Sequence, residues 1–133
     1  MEKTNVRYTF PKSERLCSRK LIDALYDQGS VLSVAPFRLS WMIAELPSDV
    51  PAQVVIGVSK RRFKHAVMRN RLKRQIREAY RHNKQVLFDA LRSEEKKIAM
   101  MLIYSGKADV AYVDLDRKMQ ELMQRLTGVM TKK

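Results

Sequence analysis

The sequence predicts an α+β sandwich: one sheet of about four strands with helices packed mainly on one face. Three observations carry this. Residues 37–44, FRLSWMIA, alternate in polarity with the period of a strand. Two apolar runs of strand length, VVIGVS at 54–59 and IAMMLIYS at 98–105, stand on either side of a longer segment. That segment, 64–82, repeats its apolar residues at helical spacing.

In chain order, residues 1–17 read as an irregular basic segment broken by Pro11. Ser18 is placed to cap a helix running to Gln28, with Gly29 ending it. Leu21, Ile22, Leu25 and Tyr26 make one face of that helix. SVLSV at 30–34 reads as a short strand. In 37–44 Phe37, Leu39, Trp41 and Ile43 point one way, and Arg38, Ser40 and Met42 the other; Trp41 is assigned to the core. A proline-containing loop at 46–53 precedes the strand 54–59. After the helix 64–82, SEEKK at 93–97 is a polar break, 98–105 is a buried strand and 105–112 a loop. Asp114 is expected to cap a last helix whose face is Leu115, Met119, Leu122, Met123 and Leu126. The whole chain, 1–133, reads as one domain, with 128–133 expected to be a disordered tail.

The net charge of +13 opposes compaction and points to an anionic partner. No apolar stretch reaches the roughly 18–20 residues of a spanning helix. The N-terminus has no apolar signal region, and Cys17 is the single cysteine, so a cytoplasmic location is the expectation.

Much of the charge lies in residues 59–81, where ten Lys or Arg accompany one acid, Glu78. At 100° per residue, Met68, Leu72, Ile76 and Ala79 fall within an arc of about 80°, the width of a core-facing stripe. Asn70, Lys73, Arg74, Arg77 and Arg81 cluster opposite, with Arg69 and Arg71 on the two edges of the stripe. A disordered basic tail would not separate its residues in this way. A merely solvated face would mix signs, because i,i+4 acid–base pairs help a helix. The cationic face therefore points to RNA or DNA. A membrane suits it less, since the apolar side is needed by the core. Arginine offers phosphate two parallel charge-assisted hydrogen bonds, and the Asn70 amide can read a base edge or a 2′-hydroxyl.

The string RNRLKRQIREAYR, 69–81, resembles the signature of the bacterial ribonuclease P protein component. GVSKRRFKHAV at 57–67, FPKSERL at 10–16 and YDQGSVLSVAPFRLS at 26–40 are similar to other stretches of that family, so the resemblance spans about residues 8–127. It implies an α-β-β-β-α-β-α order with a left-handed βαβ crossover, where the general rule favours a right-handed one. It implies that the protein serves an RNA subunit that itself cuts the 5′ leader from precursor tRNA. On the matching positions, Lys60, Arg61, Arg69, Asn70, Arg71, Lys73, Arg74, Arg77 and Arg81 would bind the RNA subunit, beside Ser59. A cleft with Lys12, Arg15, Ile22, Tyr26, Arg38 and Ser40 would take the leader. The family often has two aromatics on its first helix; here Ile22 replaces one, and an aromatic often found near Ser40 is absent.

No catalytic constellation is evident on the chain. Lys107 lacks the glycine and hydroxyl partners of a phosphate-binding loop, and His65 falls near the apolar side of its helix, where an interior role is expected. Asp114 and Asp116 read as a cap and a first-turn acid rather than metal ligands. Magnesium is expected, bound mainly by the RNA subunit, with no metal site on the protein and no obligate protein partner. The alternative reading is another structured-RNA-binding protein, such as a ribosome-associated one, with no link to tRNA maturation.

Overall fold

The structure is a computed structural model that describes residues 10–47 and 49–131. Its elements are α1 (Arg19–Gln28), β1 (Ser30–Val34), β2 (Phe37–Ile43), β3 (Ala52–Val58), α2 (Ala66–Asn83), α3 (Gln85–Ser93), β4 (Ile98–Tyr104) and α4 (Tyr112–Thr131). The sheet order is β1-β2-β4-β3. β1 with β2 and β2 with β4 are antiparallel; β3 and β4 are parallel, with Ile56 opposite Leu102. A parallel pair needs a long crossover, and α2 with α3 supplies it.

Both faces of the sheet are covered. Leu39, Val54, Met100 and Leu102 pack with residues of α2, α3 and α4 into the larger core. Met42, Val55, Ala99 and Met101 face the other way and pack with Leu21, Ile22 and Leu25 of α1. Burial on both sides explains why β4 reads as an unbroken apolar run rather than an alternation. Trp41 packs against the larger core, as its place in the alternation predicts.

Ser18 caps α1 by accepting from the Leu21 amide at 3.2 Å. Gly29 ends this helix for a different reason from the left-handed cap that glycine usually supplies. Its φ is −65°, and a Cβ there would stand 2.7 Å from the Leu25 carbonyl oxygen. The glycine is needed for close approach rather than for positive φ.

Three expectations are corrected, and one element that the sequence reading left unassigned is added. Residues 85–93 form a helix, α3, that packs on α4 and buries Leu87, Phe88 and Leu91. Lys84, the joint between α2 and α3, keeps helical dihedrals, so no breaker residue announces the change of direction. The segment from Phe10 to Leu16 is docked rather than irregular. It makes a 3-10 turn at Lys12–Glu14, and Arg15 bridges Val54 on the open edge of β3. Glu14 then reaches the buried Lys84 ammonium, and Phe10 meets the Tyr80 ring edge-on at 5.6 Å. Residues 1–9 lie outside the described residues. Asp114 is not the cap of α4: the helix begins at Tyr112, so Asp114 sits in the first turn, where it pairs with Arg117 at 3.5 Å. The far end of α4 is no tail either, since the helix runs to Thr131 and Met130 is in the core; residues 132–133 lie outside the described residues.

Candidate nucleic-acid interface

α2 is held from below. Leu72, Ile76 and Ala79 are fully buried and Met68 is packed against the same core. Burying two such aliphatic side chains contributes about 3–6 kcal/mol, enough to hold a helix whose outer charges repel one another. On that outer side Asn70 and Arg74 are exposed, and Lys73 and Arg77 are half-buried. Among the described residues, Lys73, Arg74 and Arg77 form no ion pair. Lys60 and Arg61 are exposed in the turn leading into the helix, which is closed by the Arg62 amide donating to the Ser59 hydroxyl.

The remaining arginines differ. Arg69 donates to the Phe63 carbonyl at 2.7 Å and Arg71 to the Ala108 carbonyl at 3.0 Å, so each edge arginine is tied to a flanking loop. Arg81 is engaged by the Glu78 carboxylate, one turn back. The hydrogen bond from Arg81 holds the Glu78 carboxyl below the usual carboxylate range. This pair neutralises one cation at the C-terminal end of the face. His65 is exposed, at the residue before the first turn of α2, because the helix starts later than its apolar period suggests. It is not an interior histidine.

The residues assigned to a leader cleft do not converge on one hollow. Lys12 and Arg15 line a cavity of about 900 Å³ with Lys20, Leu21, Met42 and Ile43. This lies at the N-terminal end of α1. Tyr26 stands near the other end of that helix and is 72% exposed. Ile22 is packed beneath α1, against the sheet. Arg38 and Ser40 share the α1 side of β2, Arg38 exposed and Ser40 buried. Arg15 also lines a second, smaller groove with Phe10, Val54 and Arg77. Arg77 thus links the outer face of α2 with the N-terminal segment, a link that sequence distance hides. Lys20 was missed by the sequence reading, although its place in the first turn of α1 marks it as close to that cavity. Among the described residues no three His, Cys, Asp or Glu side chains gather as they would around a metal ion, and no helix is long and apolar enough to cross a membrane.

Comparison with known proteins identifies relatives that cover most of the chain. The family profile of ribonuclease P matches residues 10–127. The ribonuclease P protein component of Porphyromonas gingivalis is 35% identical over 119 residues, covering 88% of this chain and 85% of its own length. That of Chlorobium phaeobacteroides is 36% identical over 125 residues, covering 86% of each. The fold matches the ribonuclease P protein of Thermotoga maritima with a TM-score of 0.65 at 25% identity, over 84% of this chain and 96% of that one. A Staphylococcus aureus ribonuclease P protein has the same fold, with a TM-score of 0.62 at 20% identity, over 90% of this chain and all of its own. With the family profile matched over residues 10–127 and a relative 35% identical over 88% of this chain, the chain belongs to the ribonuclease P protein component family.

Proposed function

We propose that the outer face of α2 holds the RNA subunit of ribonuclease P, and that the side of the sheet covered by α1 holds the 5′ leader of precursor tRNA. The observation that carries this is the separation on α2: a buried apolar stripe fixes the helix, and Lys73, Arg74 and Arg77 stand on its other side with no acid paired to them among the described residues. Two RNAs that must come together repel one another. A rigid row of cations between them lowers that repulsion without taking part in bond breaking. The cutting is done on the RNA, whose phosphate oxygens suit magnesium, a hard cation. Tyr26 offers an exposed ring for a base to stack on, and Lys12 and Arg15 draw the leader's phosphates. The particle works in the cytoplasm.

The test is cleavage of precursor tRNA at low magnesium by the RNA subunit alone, with the wild-type protein, and with Arg74→Ala/Arg77→Ala. Stimulation by the wild type, much reduced in the variant, is expected. Equal rates with and without protein would remove the proposal.

A further inference from the structure

The loop after β4, residues 105–111, was set aside in the sequence because its Lys107 fits no phosphate-binding motif. In the structure three consecutive carbonyls of this loop each accept a hydrogen bond from a side chain elsewhere. Arg62 Nε donates to Gly106 at 3.3 Å, Tyr104 Oη to Lys107 at 2.6 Å, and Arg71 Nη2 to Ala108 at 3.0 Å. Guanidinium donors make the stronger, charge-assisted kind of hydrogen bond. Gly106 lies so close that a Cβ would stand 2.5 Å from the Tyr104 hydroxyl and 2.7 Å from Pro36 Cβ. The Tyr104 ring stacks on Phe63 at 6.1 Å, and the Phe63 carbonyl is the acceptor for Arg69. The turn before α2 and the loop after β4 are thereby fastened to one another beside the start of the cationic helix. Lys60, Arg61 and Lys64 project from one and Lys107 from the other, all exposed. Asp109, also exposed, is the acid of the loop.

We propose that Arg71 and Arg62 act as positioning residues that clamp the 105–111 loop against α2, so that Lys107 joins the surface that binds an RNA phosphate backbone. The proposal rests on the RNA-binding reading above and extends it to a segment outside the basic helix. Its physical content is that a lysine on a loose loop loses conformational freedom when it binds, whereas one on a loop pinned at three successive carbonyls has its backbone already fixed. Arg71 would then contribute mainly through Lys107. Arg74, which makes no hydrogen bond to the loop among the described residues, would contribute independently.

Two RNAs supply the same phosphodiester chemistry, so the affinity of the RNA subunit and of precursor tRNA is measured separately across a salt series. The proteins are wild type, Lys107→Ala, Arg71→Ala, Arg74→Ala, Arg71→Ala/Lys107→Ala and Arg74→Ala/Lys107→Ala. Independent contacts give fold-losses that multiply, and coupled ones do not. For at least one RNA, Lys107→Ala is expected to weaken binding several-fold and to flatten the log-affinity slope against log salt by about 0.7–0.9; the RNA affected identifies the one the loop meets. The losses are expected to multiply for Arg74 with Lys107. The Arg71/Lys107 double variant should bind within about twofold of Arg71→Ala alone. Arg62→Ala in place of Arg71→Ala gives the same pattern and serves where the Arg71 variant is poorly folded. Wild-type affinity of Lys107→Ala for both RNAs overturns the proposal, as do losses that multiply in every pair. A wild type that bound neither RNA would instead sink the broader reading, and this one with it.

Discussion

α1 and α2 cover opposite faces of the same sheet, yet they gather their candidate ligand-facing groups differently. α2 carries most of its set within one regular helix, so a single period sorts Leu72 and Ile76 inward and Arg74 and Asn70 outward. The α1 side collects Lys12 and Arg15 from the docked N-terminal segment, Tyr26 from the helix and Arg38 from β2. Its geometry depends on anchors far away in sequence, above all the Glu14–Lys84 pair, 70 residues apart. The first kind of surface is robust and visible in a sequence. The second is only as good as its most distant anchor.

The largest expected effect comes from that anchor. Glu14→Ala removes the Glu14 carboxylate from the buried Lys84 ammonium, and breaking one half of a buried pair costs about 3–5 kcal/mol. Urea unfolding measures the loss. It should be accompanied by weaker leader binding, since Arg15 follows Glu14 directly. Next, Leu72→Ala under α2 is expected to destabilise by about 2–5 kcal/mol. Arg74→Ala, on the outside of the same helix, should change stability by no more than about 0.5 kcal/mol while flattening the salt slope for RNA binding by about 0.7–0.9. If the two substitutions behaved alike, the two-faced account of α2 would fail.

On the α1 side, Tyr26→Ala removes an exposed ring. It is expected to lower affinity for a precursor tRNA with a single-stranded leader by about 1–3 kcal/mol, and to leave affinity for a leaderless tRNA unchanged. Calorimetry on the assembled particle distinguishes these results. The smallest effect is at Glu78. Glu78→Gln removes one negative charge from this face and should steepen the salt slope by no more than about 0.9. The carboxyl of Glu78 is held low by its hydrogen bond to Arg81, so the folded state prefers it ionised. Its stabilising contribution is therefore complete above the ordinary carboxylate pKa and is lost as pH falls through the lowered one. Between pH 5 and pH 8, binding should show no step from this pair.

The elements that carried a period were legible. Four strands, the caps and ends of α1 and the two faces of α2 follow from local residue order. What could not be read locally was whatever depends on contact across the chain. Lys84 looks like another surface base in a basic stretch, and only the fold brings Glu14 to it. α3 did leave a signal, Leu87, Phe88 and Leu91 at helical spacing, but it follows α2 with no glycine or proline to mark a new element. Arg69 and Arg71 were placed on the edges of the apolar stripe, and the structure gives that position its meaning: the edges are where side chains reach the loops on either side. The same distance effect separates Arg77 from Arg15 in the sequence and unites them along one groove.

The central claim is that the outward side of α2 is covered by RNA in the assembled particle. Amine-selective acylation of lysines, with and without the RNA subunit, tests it on the intact protein. Lys73 on α2 and Lys60 before it should become protected on assembly, while Lys118 on α4, ion-paired with Glu121, should react as in the free protein. Unchanged reactivity at Lys73 and Lys60 in the assembled particle would contradict the account.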